Sequence, residues 1–137
     1  MVAALEEREA KLDPAFSTER MGWRAAFETA LCSALPGTSI VGAETERLWN
    51  TTAAIMPELP DCRQRWVVKL DKLGYAVSTG SACASGKEQT SHVLEAMKIT
   101  PEDASRVLRF SSGFSTTRED WERLLDGLRQ AHAELAG

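Results

Sequence analysis

One cysteine of the chain sits in Ser78-Thr79-Gly80-Ser81-Ala82-Cys83-Ala84-Ser85-Gly86, a run with two glycines, four serines or threonines and no large apolar side chain. Such a run has little to bury, which predicts an exposed loop over these residues. Tyr75-Ala76-Val77 reads as a short strand before it and Ser91 to Met97 as a helix after it, so the Cys83 thiol is presented on a tether held at both ends. An accessible thiolate is a nucleophile that can take a group from one partner and hand it to another. Access alone does not set a thiolate pKa, and an inert loop cysteine is the competing reading.

Arg109 is the second candidate. In Val107-Leu108-Arg109-Phe110-Ser111 the alternation of a strand sends Leu108 and Phe110 to the core and Arg109 to the opposite face. A planar guanidinium there can grip a carboxylate through two parallel hydrogen bonds, as binding an amino acid requires. The bland alternative is a surface arginine paired with an Asp or Glu. His92 reads as a structural or surface residue and stays outside the site. The three cysteines at positions 32, 62 and 83 form no CxxC pair, which argues against a disulfide framework and a zinc site. Cys32 falls in a helical pattern and reads as a small core residue; Cys62 is left open.

The elements that must position these residues follow from periodicity. Ala3 to Leu12 is helix-forming, and Asp13-Pro14 starts a second helix that runs to Leu35, with Trp23, Phe27, Leu31 and Leu35 as its apolar stripe and Pro36-Gly37 as its end. Ser39-Ile40-Val41 and Leu48 to Met56 read as strands. Trp66, Val67, Leu70 and Leu73 make a helical stripe closed by Gly74. Thr100-Pro101-Glu102-Asp103 opens a short helix before the Val107–Ser112 strand, and Thr117 with Asp120 caps a last helix that buries Trp121, Leu124, Leu125, Leu128 and Leu135. The expected fold is α+β, a small, mostly antiparallel sheet covered by helices on one face.

Composition narrows the functional classes. A chain of 137 residues is one domain in size. A net charge of −4 with interspersed signs leaves no basic stripe for nucleic acid. No apolar run is long enough to span a bilayer, and Met1-Val2-Ala3-Ala4-Leu5-Glu6-Glu7-Arg8 lacks the pattern of a secretory signal. The expected location is the cytoplasm, with no membrane partner.

Val77 to Cys83, followed by Ser91-His92-Val93-Leu94, closely resembles the active-site loop of the cysteine desulfurases, pyridoxal-phosphate enzymes of the class V aminotransferase family. The resemblance continues through Val107 to Gly113 and Thr116-Thr117-Arg118-Glu119-Asp120, and reaches back to Leu35-Pro36-Gly37-Thr38 and Arg47-Leu48-Trp49-Asn50-Thr51. It covers the chain from about Arg20 onward. The resemblance implies a C-terminal small domain at residues 17–137, with residues 1–16 as a helical linker. It implies that Cys83 takes sulfur from L-cysteine as a persulfide and releases alanine, that Arg109 binds the substrate carboxylate, and that pyridoxal phosphate is the electron sink. It further implies a sulfur-acceptor protein, a role in iron–sulfur cluster assembly or another sulfur transfer, and a homodimeric full-length enzyme.

The family holds its cofactor on a lysine that follows a histidine, in a large domain. Here Lys11, Lys69, Lys72, Lys87 and Lys98 include none that follows His92 or His132. The chain by itself is therefore expected to bind no pyridoxal phosphate and to be inactive. Phe114 stands where the family has an arginine, Trp49 replaces a proline, and Pro57 to Arg65 lacks the family's glycine-containing turn. A stand-alone persulfide carrier and a non-catalytic interaction module are the alternatives, and a carrier has no need of Arg109.

Overall fold

The structure, a computed structural model, describes residues 14–59, 62–79 and 91–137. Helix α1 (Pro14–Ala34) opens on a proline, whose missing amide has no partner to lose in a first turn. It ends where the Leu35 amide bonds back to Leu31 and Gly37 takes φ of +90°, a left-handed conformation open to glycine. The predicted stripe is the buried one: Phe27, Leu31 and Leu35 are in the core, and Trp23 packs against it.

Strands β1 (Ser39–Ile40), β2 (Thr51–Ile55), β3 (Ser78–Thr79) and β4 (Val107–Ser111) form one sheet in the order β1-β2-β4-β3, antiparallel throughout. Helices α2 (Cys62–Lys72) and α5 (Arg118–Ala136) join α1 on one face. There Phe27, Leu31, Trp66, Leu70, Trp121 and Leu128 pack with Ala54, Leu108 and Phe110 of the sheet. The α+β architecture with helices over one face is as expected. Among the described residues the opposite face is covered at one end, where the short helices α3 (His92–Ala96) and α4 (Pro101–Ser105) bring Leu94 and Ala104 onto Val107 and Val41.

Local chemistry sets the boundaries. The Thr100 hydroxyl accepts from the Asp103 amide at 3.1 Å to start α4, and Thr117 and Asp120 form a reciprocal capping box at α5. The short strand expected at Tyr75–Val77 lies instead at Ser78–Thr79, inside the run read as loop. Tyr75 is still closing α2, its amide bonded to the Leu70 carbonyl at 2.9 Å, and pairing with β4 begins only at Ser78. The β2 strand is shorter than the Leu48–Met56 pattern, because residues 48–50 are drawn toward α1 and the end of β4: Arg24 donates to the Leu48 carbonyl, and the Asn50 carbonyl accepts from the Ser112 amide at 2.8 Å. The helix-forming stretch Ala3–Leu12 and the segment with Cys83 lie outside the described residues.

Candidate functional site

Arg109 sits in the middle of β4 with Ala53 of β2 on one side and Ser78 of β3 on the other. Leu108 and Phe110 are buried on the helix-covered face, so Arg109 points to the half-open face, as alternation requires. Its neighbours on the two flanking strands are small. Among the described residues it has no hydrogen bond or ion pair, although it is half-buried. Buried polar groups are nearly always paired, and among the described residues the half-open face holds no partner for this bidentate donor, whose geometry suits a carboxylate.

The loop beside this strand is held by a charged cluster that sequence reading missed. Glu28 of α1 accepts from both terminal nitrogens of Arg47, at 2.7 and 2.9 Å, and from the Thr52 hydroxyl at 2.7 Å, with Arg24 Nε 3.7 Å away. Burial pushes the Glu28 carboxyl up, but the Arg47 and Thr52 hydrogen bonds and the charges of Arg47 and Arg24 outweigh it and hold the group below its ordinary value. Thr52 faces Phe110 across the ladder, so the cluster fixes β2 next to Arg109. The Arg24–Glu28 spacing of one helical turn was the only sequence signal; Arg47 is 19 residues further on.

The two departures noted at Trp49 and Phe114 touch each other. Their ring centroids are 5.6 Å apart, and each meets Phe16 of α1, at 5.4 and 5.5 Å. Arg20 stacks between Phe16 and Trp23 and donates to the carbonyls of Phe114 and Thr116. Aromatic packing thus joins Trp49 and Phe114 to α1 at one spot. Cys32 is half-buried, and burial, followed by the Glu28 charge, pushes its thiol up, away from a thiolate. His92 is almost fully exposed, 3.8 Å from Glu95. Cys83 lies outside the described residues.

A cleft of about 180 Å³ opens where Tyr75–Val77 splays from the end of β4, with Trp121 and Leu124 of α5 as its floor. No lysine, arginine or histidine lines it. Of the described lysines, Lys69 is bonded to Glu134 and Lys72 and Lys98 are exposed. The described residues therefore do not fit pyridoxal phosphate: they offer neither a converging amine for its aldehyde nor a cationic cradle for its phosphate. Nor do they include a cluster of His, Cys, Asp and Glu able to hold a metal.

The α+β fold is shared with the NifS-like proteins. The structure of a NifS-like protein from Rickettsia africae superposes with a TM-score of 0.70 at 24% identity over 85% of this chain and 29% of that one. Another NifS-like protein gives 0.70 at 21% identity over 88% and 29%. In sequence, the chain is 38% identical over 102 residues to a cysteine desulfurase of Rhodobacter capsulatus, and 32% identical over 119 residues to the cysteine desulfurase NifS of Azotobacter vinelandii. These matches take in 74% and 87% of the chain but 26% and 29% of the relatives. No family model matches. The chain belongs to the cysteine desulfurase family and corresponds to its C-terminal small domain, spanning about a quarter of the length of the relatives it matches.

Proposed function

We propose that the chain is the part of a pyridoxal-phosphate-dependent cysteine desulfurase that carries the nucleophile, Cys83, and the substrate-carboxylate clamp, Arg109, and that it does not turn over L-cysteine without the cofactor-binding part. The observation that carries this reading is Arg109, half-buried and without a counter-ion among the described residues, paired with Ser78 of β3, which precedes Cys83 in the chain. Cys83 is four residues beyond Thr79. An extended chain advances at most about 3.5 Å per residue, so the Cys83 backbone stays within roughly 14 Å of the ladder that holds Arg109.

The relatives' name supplies the donor, L-cysteine. Arg109 binds and orients its carboxylate. The Cys83 sulfur bonds to the substrate sulfur, the carbon–sulfur bond breaks with its electron pair kept by carbon, and that carbon takes a proton. Thiol and cysteine become persulfide and alanine, with atoms and electrons balanced. The cofactor, held elsewhere in the full-length enzyme, supplies the electron sink. An acceptor protein's thiol then takes the terminal sulfur for cluster assembly or another transfer, and the full-length enzyme is a cytoplasmic homodimer joined chiefly outside this chain.

The test is a chimera in which this chain replaces the matching part of the Rhodobacter capsulatus enzyme. The expected result is alanine formation that Cys83→Ser abolishes and Arg109→Ala weakens mainly through KM, while the isolated chain with added pyridoxal phosphate forms none. A cofactor-loaded chimera that makes alanine equally well with Cys83→Ser contradicts the assignment.

A further inference from the structure

Among the described residues β3 is Ser78–Thr79, two ladder positions at the sheet edge. Two ladder positions give an edge strand little hold of their own. Its support comes from Tyr75. Gly74 ends α2 with φ of +87°, and the Tyr75 amide bonds to the Leu70 carbonyl. The ring then lies in a notch on α5 made by the absence of a side chain at Gly127. A Cβ on Gly127 would stand 2.5 Å from Tyr75 Cε2, well inside van der Waals contact. The Tyr75 hydroxyl donates to the Arg123 carbonyl at 2.8 Å. Three residues later Ser78 is paired with Arg109.

We propose that Tyr75 is a positioning residue: ring in the Gly127 notch and hydroxyl on Arg123, it holds β3 against Arg109 and so sets where the chain departs toward Cys83. Its importance for sulfur transfer rests on the function proposed above. Glycine in a helix interior lowers helix stability, and the close approach of Tyr75 gives Gly127 a reason to be there.

The test measures amide hydrogen exchange in the 137-residue chain for Ser78, whose N–H faces β4, with Leu108 and Ala54 of the central ladder as internal reference, in Tyr75→Phe, Tyr75→Ala and Gly127→Ala. Local opening is read separately from global unfolding in this way. Tyr75→Ala and Gly127→Ala are expected to raise exchange at Ser78 about tenfold or more while the reference amides hold, and Tyr75→Phe, which keeps the ring, to retain most of the protection. Protection at Ser78 that is unchanged, or that falls in parallel at all three amides, overturns the proposal. In the chimera, Tyr75→Ala and Gly127→Ala are expected to lower kcat with KM kept, and Tyr75→Phe to keep most of it. Wild-type chimera that makes no alanine despite a protected β3 counts against the function and leaves the role of Tyr75 intact.

Discussion

At Glu28 one carboxylate serves two arginines and a threonine hydroxyl. Glu28→Gln keeps the shape and removes the charge that compensates Arg24 and Arg47, and breaking a nearly buried pair costs about 3 kcal/mol. Urea unfolding of the variant checks it. Because the folded carboxyl lies below its ordinary value, Glu28 contributes stability that is fully present above the unfolded value near 4.5 and is lost as pH falls through the folded value. The difference between wild type and Glu28→Gln should therefore shrink below about pH 4; a constant gap would contradict this account. Arg109 carries the second prediction at this scale. Lysine offers a point charge in place of a planar fork, so Arg109→Lys in the chimera should raise KM for L-cysteine about tenfold or more with a smaller change in kcat. The arginine was legible because a charge in an alternating strand is conspicuous. Glu28 was not, because its partners are distant in sequence and an isolated Glu in a helix resembles any solvated one.

Elements were legible where local chemistry decides them. Thr117 and Asp120 gave the start of α5, Thr100 and Pro101 that of α4, and the four-residue stripe gave α1. The β3 strand was displaced because pairing with β4, not the Tyr75–Val77 pattern, determines where it lies. Removing the α5 cap with Thr117→Ala should cost about 1 kcal/mol in thermal or urea unfolding. The Phe16–Trp49–Phe114 contact joins α1 to two loops, so the effects of Phe16→Ala and Phe114→Ala should be non-additive by about 1 kcal/mol in a double-mutant cycle. Strict additivity would mean that the rings only share a neighbourhood.

Among the described residues, the three long helices bury one sheet face and the two short ones cover part of the other, on which Arg109 is half-buried. The chain spans about a quarter of its matched relatives. The family was legible from ordered motifs. The Tyr75–Gly127 notch was not, since nothing in either residue names the other. Mixing the isolated chain with pyridoxal phosphate should leave the cofactor's visible absorbance unchanged, for want of a described lysine placed to receive it. The most direct test of the central claim is mass spectrometric mapping of sulfur on the cofactor-loaded chimera after brief exposure to L-cysteine. The account predicts one added sulfur atom on the peptide with Cys83 and none on those with Cys32 or Cys62. Added sulfur on either of the other two, or alanine formed with Cys83 unmodified throughout the reaction, would contradict it.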